Sequence, residues 1–252
     1  MPRLSLVVIT LNEEDSISYC LNSARIADEV IVVDAGSTDR TTEIAEACGA
    51  RVIVASDWRG FGFQKNRALD AATGEWILSL DADEWLEPAL AAEINEAISS
   101  ADDVDGYYIA RRSRFLGAVV RHSGWWPDYL IRLFRAKRGR FSDSLVHERV
   151  IVEGLTKYLR HPIEHRGVVD YADAESKIQR YALAAATEMA EKGRKANILS
   201  APLHGAGAFL KTYVIKQGYL DNLAGFQVAQ YNARHSYQKW RMLHINSRNR
   251  TR

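Results

Sequence analysis

The sequence predicts an α/β protein in which a mostly parallel sheet carries helices on both faces and a helical region follows it. Three observations predict this class. Short runs rich in Val, Ile and Leu alternate with stretches of helical spacing over the first 100 residues. The runs are almost continuously apolar, as strands covered on both faces are. After about residue 172 the pattern becomes helical only.

Four strand and helix pairs follow one another in the first part of the chain. The predicted strands are Leu4–Thr10, Glu29–Val33, Arg51–Ala55 and Trp76–Leu80. The predicted helices are Glu14–Ala27, Ser37–Ala47, Phe63–Ala72 and Pro88–Ser99. Gly49 and Gly74 end two of these helices, because glycine terminates helical segments readily. Helices between successive strands favour parallel pairing.

The second part of the chain follows a different pattern. Gly106–Arg112, Tyr129–Phe134 and Leu145–Val152 are predicted strands without long helices between them, which favours mixed or antiparallel pairing. The predicted C-terminal helices are Ala174–Lys192, Ala206–Gln217 and Gly225–Leu243, separated by Ala201-Pro202 and Gly218. We therefore expect an α/β domain over residues 1–170 and a basic helical region over residues 171–252.

The charge of the chain is unevenly distributed, although the net charge is only +1. From Lys192 onward there are eleven Lys and Arg residues and one acidic residue, whereas the remainder has 22 basic and 31 acidic residues. Such a tail favours an anionic partner, either a membrane surface or nucleic acid. Nucleic acid ranks lower because no recognisable nucleic-acid module accompanies the charge.

Cysteine usage and hydropathy restrict the class further. Cys20 and Cys48 are isolated from each other, which favours a reducing compartment and disfavours structural zinc. The apolar run at Leu4–Leu11 is too short for a signal peptide. No run approaches 18 consecutive apolar residues, so we expect no transmembrane helix.

The strongest chemical signal is Asp81-Ala82-Asp83, which follows the fourth predicted strand directly. Side chains two residues apart on an extended segment face the same way. Paired carboxylates suit Mg²⁺ or Mn²⁺, which commonly bridge carboxylates and phosphates. Taken alone, such a tripeptide is more often a pair of solvated loop acids. Its position after an apolar strand favours the metal interpretation.

Further polar residues end the first and second predicted strands. Thr10 and Asp34 should lie beside Asp81, because ligands of parallel sheets bind at the carboxyl ends of the strands. Gly36 permits close approach of a ligand to the helix N-terminus, where anions are favoured. Helix capping by Ser37 or Thr38 is the simpler alternative. The segment is neither Gly-x-Gly-x-x-Gly nor a P-loop, which disfavours dinucleotide enzymes and P-loop NTPases.

Three other segments carry chemistry-bearing residues. Gln64–Arg67 can reach a nucleotide base or diphosphate, or can simply be a solvated helix start. Trp125-Trp126-Pro127-Asp128 can stack on and hydrogen-bond a sugar, or its tryptophans can be buried anchors. Glu148 is a candidate general base and His147 a candidate metal ligand, although such pairs are often structural. His161, His165 and His204 compete with His147.

These segments together resemble the family 2 glycosyltransferases, whose motifs occur in this order and spacing. The matching segments are Val7–Glu13, Val32–Asp39, Lys65–Arg67 and Asp81–Glu84. Downstream, Gly124–Asp128, Arg132–Arg135 and Val146–Glu148 resemble the bacterial branch that builds the lipopolysaccharide core, the β-1,4-glucosyltransferase-like group. The resemblance covers nearly the whole chain and implies a Rossmann-like GT-A fold. The Gln-x-x-Arg-Trp motif of processive synthases is absent, which favours transfer of a single sugar.

The resemblance implies transfer of one hexose, glucose in this branch, from a nucleotide diphosphate donor with inversion. It implies uridine diphosphate as the nucleotide and a lipopolysaccharide-core or other glycan hydroxyl as the acceptor. Residues 1–100 would bind the donor and residues 101–170 the acceptor. The implied donor contacts are Thr10, Asn12, Glu13, Asp34, Gly36, Lys65, Asn66 and Asp81. The implied acceptor contacts are Trp125, Trp126, Asp128 and Arg132. The implied metal ligands are Asp83, Asp81 and His147, and the base is Glu148 or Asp128.

Two competing functions fit the sequence less well. A nucleotidyltransferase would carry a Gly-rich basic loop after the first strand, where this chain has the acidic Asn12–Asp15. A non-catalytic module that binds a sugar or nucleotide would not need Asp81, Asp83 and Glu148.

The basic tail predicts a peripheral protein on the cytoplasmic face of an anionic membrane. Phe209, Leu210, Tyr213, Val214 and Leu220 can form an apolar stripe at roughly helical spacing. Its predicted basic flanks are Lys211, Lys216, Arg234, Lys239 and Arg241. A helix of this kind lies in the membrane interface. In the alternative interpretation, the stripe packs on the catalytic domain.

Overall fold

The computed structural model describes residues 2–100, 102–142 and 148–249. The chain forms two units. The first comprises Met1–Arg111 and Asp128–His165, and the second comprises Arg112–Pro127 and Arg166–Arg252. The division therefore falls at residue 165 instead of the expected residue 170. The segment 112–127, which we expected in the α/β domain, belongs to the helical unit.

The first unit begins with the alternating strands and helices that the sequence predicts. Its parallel strands are β1 (Leu4–Thr10), β2 (Glu29–Asp34), β3 (Arg51–Val54) and β4 (Trp76–Asp81). The helices that follow them are α1 (Ile17–Ser23), α2 (Thr41–Ala47), α3 (Phe61–Ala71) and α4 (Pro88–Ser99). Pro88 opens α4 at a position where a missing N–H is tolerated. The expected α/β fold is confirmed, with parallel pairing among β1–β4. The sheet as a whole is mixed and not mostly parallel, because later strands add antiparallel pairs.

Most of the later strands pair in antiparallel fashion, and the one over Thr156–Tyr158 pairs in parallel. They are β5 (Glu84–Leu86), β6 (Gly106–Phe115), β7 (Ala118–Val119), β8 (Asp128–Arg135), β9 (Gly139–Phe141), β10 (Val150–Val152), β11 (Thr156–Tyr158) and β12 (Ile163–Val168). The main order is β3-β2-β1-β4-β8-β6-β12-β5, and β9 pairs with β10 separately. Residues 145–147 of the strand expected at Leu145–Val152 lie outside the described residues. Strands β5, β7, β9, β11 and β12 were not predicted, because they are short or carry charged residues.

Two apolar layers cover the parallel strands. Along β4, Trp76, Leu78 and Leu80 pack into the cluster on one face, whereas Ile77 packs into the cluster on the other. Burial on both faces explains why these strands are apolar at almost every position. The layers hold the carboxyl ends of β1, β2 and β4 side by side, and those ends form the site.

The second unit is mainly helical. Its helices are α5 (Tyr171–Glu191), α6 (Ser200–Leu210) and α7 (Asn222–Asn249). Asp170 caps α5 by accepting the N–H of Asp173 at 2.8 Å. The buried face of α5 repeats every four residues and consists of Ala174, Ile178, Ala182, Ala186 and Ala190. Within residues 2–100, 102–142 and 148–249, no helix combines the length and apolar character needed to cross a bilayer.

The helix expected at Ala206–Gln217 begins earlier and ends earlier than predicted. It starts at Ser200 because Pro202 lies in the first turn, where proline does not remove a needed hydrogen bond. The α-helix ends at Leu210. A π-helical turn over Lys211–Ile215 follows it, and then a 3₁₀ turn over Gly218–Asp221. The connection between α6 and α7 is therefore a structured tip.

Candidate active site

The carboxyl ends of three parallel strands meet as the sequence predicts. Thr10 at the end of β1 is the register partner of Asp34 on β2, and Ile9 is the partner of Asp81 on β4. The hydroxyl of Thr10 is buried and has no hydrogen-bond partner in the part of the chain that the structure describes. A buried hydroxyl without a partner is unfavourable, so this atom is a candidate contact for a ligand.

The loops after β1 and β2 are joined by side-chain hydrogen bonds. Asp34 accepts the N–H groups of Gly36 at 2.9 Å and Ser37 at 2.8 Å. Gly36 has φ +100°, a conformation that glycine adopts without strain. Asn12 accepts the N–H of Thr38 at 2.8 Å, and its own N–H donates to Ser37 Oγ at 2.8 Å. The predicted donor loop is therefore preorganised.

Glu13 also belongs to this pair of loops. Its backbone N–H donates to Thr41 Oγ1 at 2.8 Å, and its carboxylate accepts the hydroxyl of Ser16 at 2.5 Å. Thr41 opens α2 and Ser16 precedes α1, so Glu13 fixes the loop against both helices.

Asp81 lies between two cations. Lys65 Nζ is 2.8 Å from Asp81 Oδ1, and Arg132 Nη2 is 2.7 Å from Oδ2. Burial alone would raise the pKa of Asp81, but Arg132 and Lys65 hold that pKa well below its ordinary value. Asp81 is therefore a carboxylate, and both of its oxygens are already engaged by cations.

Glu84 anchors the buried side of this cluster. Its side chain is 0% exposed, and it lies 2.6 Å from Arg132 Nη2. Glu84 Oε2 also accepts the backbone N–H of Asp81 at 3.0 Å. Burial raises the pKa of Glu84 in spite of the guanidinium of Arg132. Glu84 thus holds Arg132 and the backbone of the Asp81–Asp83 segment together.

A bulge directs Arg132 into the cluster. Tyr107 pairs with Leu133 and Tyr108 pairs with Ile131, so Arg132 is the additional residue on β8. A bulge re-aims a side chain and is common beside active sites. Arg132 Nε is buried and has no hydrogen-bond partner among the described residues, which leaves a guanidinium donor for a ligand.

The two candidate bases both hydrogen-bond to cations of this cluster. Lys65 Nζ lies 2.8 Å from Glu148 Oε1 as well as from Asp81. Asp128 accepts two donors from Arg111, at 2.7 and 3.0 Å. Arg111 in turn lies 3.5 Å from Glu84. The structure therefore brings both Glu148 and Asp128 to the cluster around Asp81.

Gly62 permits the approach of α3 to the segment that carries Glu148. A Cβ atom on Gly62 would lie 1.9 Å from the carbonyl oxygen of Ser142, so no other residue fits there without a shift. Lys65 follows one turn later and is 4% exposed. The close packing of α3 places the ammonium group of Lys65 between the carboxylates of Asp81 and Glu148.

Asp83 is placed differently from Asp81. Its Oδ2 atom lies 3.1 Å from His165 Nε2, and both side chains are partly exposed. His147, the predicted metal ligand, lies outside the described residues. Among residues 2–100, 102–142 and 148–249, no group of three His, Cys, Asp or Glu side chains is arranged to hold a metal ion.

Some predicted site residues have structural contacts instead. The amide of Asn66 is held in place by Phe141, because it donates one N–H to the backbone carbonyl of Phe141 and accepts the backbone N–H of the same residue. Trp125 packs edge-on against Phe115 and Tyr231 in the second unit, as the anchor interpretation expected. Arg132, predicted to bind the acceptor, is held instead by Asp81 and Glu84. Trp126 is half-buried in the second unit.

Sequence reasoning missed three residues of the cluster. Glu84 stood in the recognised motif but received no role, and Arg111 was not considered. His165 was only a competitor of His147. Arg111 had a usable signal, since it stands two residues after the buried Ile109 and so on the same face of β6. An arginine on the apolar face of a strand usually has a buried anionic partner.

An α/β sheet with a preorganised loop, a carboxylate pair and buried cations at the carboxyl ends of its strands fits the GT-A fold. The model of glycosyl transferase family 2 matches residues 5–153, which is more than half of the chain. The chain belongs to this family.

The similarity extends to proteins of matching length. The lipopolysaccharide core biosynthesis glycosyltransferase LpsC of Rhizobium meliloti (strain 1021) is 28% identical over 249 residues, covering 93% of this chain and 89% of that protein. An uncharacterized glycosyltransferase of Rickettsia typhi (strain ATCC VR-144 / Wilmington) is 31% identical over 238 residues, covering 90% of this chain and 81% of that protein.

A similar solved structure is that of glucosyl-3-phosphoglycerate synthase from Mycobacterium tuberculosis in complex with Mn²⁺, uridine diphosphate and glucosyl-3-phosphoglycerate. Its TM-score is 0.47 at 19% identity, covering 72% of this chain and 78% of that chain.

Proposed function

We propose that this protein transfers one hexose, glucose first among the candidates, from a uridine diphosphate sugar with inversion. The acceptor is a hydroxyl of a lipopolysaccharide core or related glycolipid. The observation that carries the proposal is the position of Lys65, whose ammonium lies 2.8 Å from both Asp81 and Glu148. The ammonium group of Lys65 thereby links Asp81, the carboxylate proposed to contact the donor, to Glu148, the proposed base.

Donor binding is assigned to the edge formed by β1, β2 and β4. Asp34, Gly36, Asn12 and Glu13 hold the loops in place, and Thr10 Oγ1 is a buried polar atom to which no described residue hydrogen-bonds. Arg132 Nε, which likewise has no partner within residues 2–100, 102–142 and 148–249, suits the anionic oxygens of a diphosphate. A bound nucleotide diphosphate would supply hydrogen-bond partners for these two atoms.

The site also fits Mg²⁺ or Mn²⁺. These ions take one or two protein carboxylates and fill their other positions with phosphate oxygens and water. Asp83 is partly exposed and is hydrogen-bonded by His165. Carboxylates that bind a metal ion are usually hydrogen-bonded in this way. Asp83 is therefore the better ligand, because both oxygens of Asp81 are engaged by Lys65 and Arg132. A bound ion supplies charge compensation for the leaving diphosphate.

The acceptor hydroxyl needs a group that accepts its proton on the face opposite the leaving group. Glu148 is the first candidate because Lys65 positions it next to Asp81. Asp128, fixed by Arg111, is the second. A positioned base contributes about 10²–10⁴-fold in rate. Trp126 and Asp128 are retained as acceptor contacts, whereas Asn66 and Trp125 are assigned structural roles.

The acceptor class rests on the similarity to the Rhizobium lipopolysaccharide core enzyme over nearly the whole chain. A glycolipid acceptor places the reaction at the cytoplasmic face of a membrane. The basic C-terminal helices are the part of the chain assigned to that surface, and no role for nucleic acid is proposed.

The alternative is a module that binds a sugar nucleotide without catalysis. The test is release of uridine diphosphate from a panel of nucleotide sugars by the purified protein in Mn²⁺. Release from one donor that stops in EDTA and in Glu148→Gln supports the transferase. Donor binding without release, in the presence of candidate glycolipid acceptors, supports the module.

A further inference from the structure

The tip between α6 and α7 exposes an unusual number of apolar side chains. The following residues form what we call the tip surface, and each is between 49 and 73% exposed: Leu210, Val214, Ile215, Leu220 and Leu223. Scattered exposed leucines are ordinary, but soluble proteins rarely expose apolar patches this dense. This surface differs from the stripe predicted from sequence.

Aromatic side chains of α6, the π-helical turn and α7 pack against one another at this connection. Phe209 and Tyr213 stack at 5.6 Å, and Phe226 of α7 packs edge-on against both at 5.8 Å. Phe209 and Tyr213 therefore belong to the packing of the hairpin, which corrects their place in the predicted stripe. The rings connect the π-helical turn to α7, so the exposed side chains are presented on an ordered element.

The charge around the tip surface has one sign. Lys211 and Lys216 are exposed on the π-helical turn and just after it. Asp221 is the only acidic residue after Glu191. Its side chain is 6% exposed, because it accepts the N–H of His122 at 2.8 Å and contacts the ring of His122 at 2.9 Å. The region from residue 192 to 247 therefore presents cations and apolar groups to solvent without an exposed carboxylate.

Two of the other predicted cations are engaged elsewhere. Arg234 forms an ion pair with Glu175. Lys239 is half-buried, and burial lowers its pKa. Lys211 and Lys216 are the exposed cations on the connection itself.

We propose that the tip surface enters the interface of an anionic membrane, with Lys211 and Lys216 at the level of the headgroups. Exposed apolar side chains flanked by lysines are the pattern of interfacial insertion. Each such lysine is attracted to an anionic leaflet. A second copy of the chain fits less well, because it would bring the same positive charges face to face. The proposal sharpens the membrane partner named above but rests on the second unit alone.

The test is flotation with phosphatidylcholine vesicles that contain or lack phosphatidylglycerol, at low and high salt. The wild type should float only with the anionic vesicles, and less at high salt. The triple variant Ile215→Ser, Leu220→Ser, Leu223→Ser should lose at least about tenfold in vesicle affinity. Lys211→Gln with Lys216→Gln should weaken binding severalfold and reduce its dependence on salt.

Matched controls make the same chemical changes on the first unit. Ile151→Ser with Leu155→Ser removes two apolar side chains that are 61 and 53% exposed. Lys137→Gln with Arg149→Gln removes two exposed cations. Both should float like the wild type. Thermal unfolding of every variant should match the wild type, because all replaced side chains are exposed.

Several results would overturn the proposal. Wild-type binding that is absent or indifferent to lipid charge would do so, and so would a triple variant that floats normally. Light scattering that shows a dimer lost only in the triple variant would assign the surface to self-association. Release of uridine diphosphate from a soluble donor, measured on the same variants, should be unchanged. A failure of the membrane role is thereby distinguished from a failure of the transferase assignment.

Discussion

The first unit of this protein buries charged side chains, whereas the second unit exposes apolar ones. In the first unit, Arg132 and Glu84 are almost completely buried and touch at 2.6 Å. In the second unit, Ile215 and Leu223 are 73 and 68% exposed. Burying charge and exposing apolar surface are both unfavourable for an isolated fold. Such features are therefore where ligands are expected, and the comparison supports the proposals of a polar ligand on one unit and a lipid surface on the other.

The largest expected effect comes from removing the carboxylate that is not engaged by Lys65 and Arg132. Asp83→Ala should lower transfer by at least about 10³-fold, because charge compensation for the leaving group is worth several kcal/mol. Thermal unfolding should be unchanged, because Asp83 is partly exposed. Asp102→Ala, which removes an exposed carboxylate paired with Lys157, is the control and should remain active. Full wild-type activity in EDTA would remove the metal from the account.

The next effect separates the two candidate bases. Glu148→Gln should lower kcat by about 10²–10⁴-fold with an unchanged donor Kd, since the amide keeps the shape but accepts no proton. Steady-state kinetics and donor titration provide both numbers. If Asp128→Asn has this signature and Glu148→Gln does not, the role of base belongs to Asp128.

A stability measurement tests the buried charges. Arg132→Met should lower the free energy of unfolding by about 3–5 kcal/mol, because it leaves Glu84 and Asp81 without their shared cation. Arg111→Met should cost only about 1 kcal/mol, since Arg111 and its partner Asp128 are partly exposed. Urea denaturation measures both. Equal losses of unfolding free energy in the two variants would mean that burial does not determine how much each of these ion pairs contributes to stability.

The last effects concern the adjacent tryptophans. Trp125→Ala should lower stability by about 3 kcal/mol, because the ring packs against Phe115 and Tyr231. Trp126→Ala should lower stability less than Trp125→Ala does and raise the acceptor KM more than the donor KM. Melting temperatures and kinetics with both substrates distinguish them. A melting temperature of Trp126→Ala as low as that of Trp125→Ala, with equal loss of both substrates, would assign Trp126 to the core as well.

The parallel half of the fold could be predicted closely because its signals are local. Strand β1 has the bounds expected from its apolar run, and the meeting of Thr10, Asp34 and Asp81 follows from parallel pairing alone. Helix α4 also has its expected bounds, set by Pro88 at its start.

The partners of the charged residues could not be predicted, because they depend on contacts between distant segments. Arg132 reaches Asp81 only through antiparallel pairing of β8 and the bulge opposite Tyr107 and Tyr108. His165 meets Asp83 because β12 pairs with β5, and neither strand had a recognisable pattern. The sequence also does not encode which of two adjacent tryptophans faces the interior.

Calorimetric titration with uridine diphosphate glucose tests the central claim most directly, namely that this edge of the sheet binds a sugar nucleotide through Asp83 and a divalent ion. The wild type should bind in Mn²⁺ and lose at least about tenfold in affinity in EDTA, and Asp83→Ala should bind equally weakly in both conditions. Binding that is as tight in EDTA as in Mn²⁺, or undiminished in Asp83→Ala, would contradict the account.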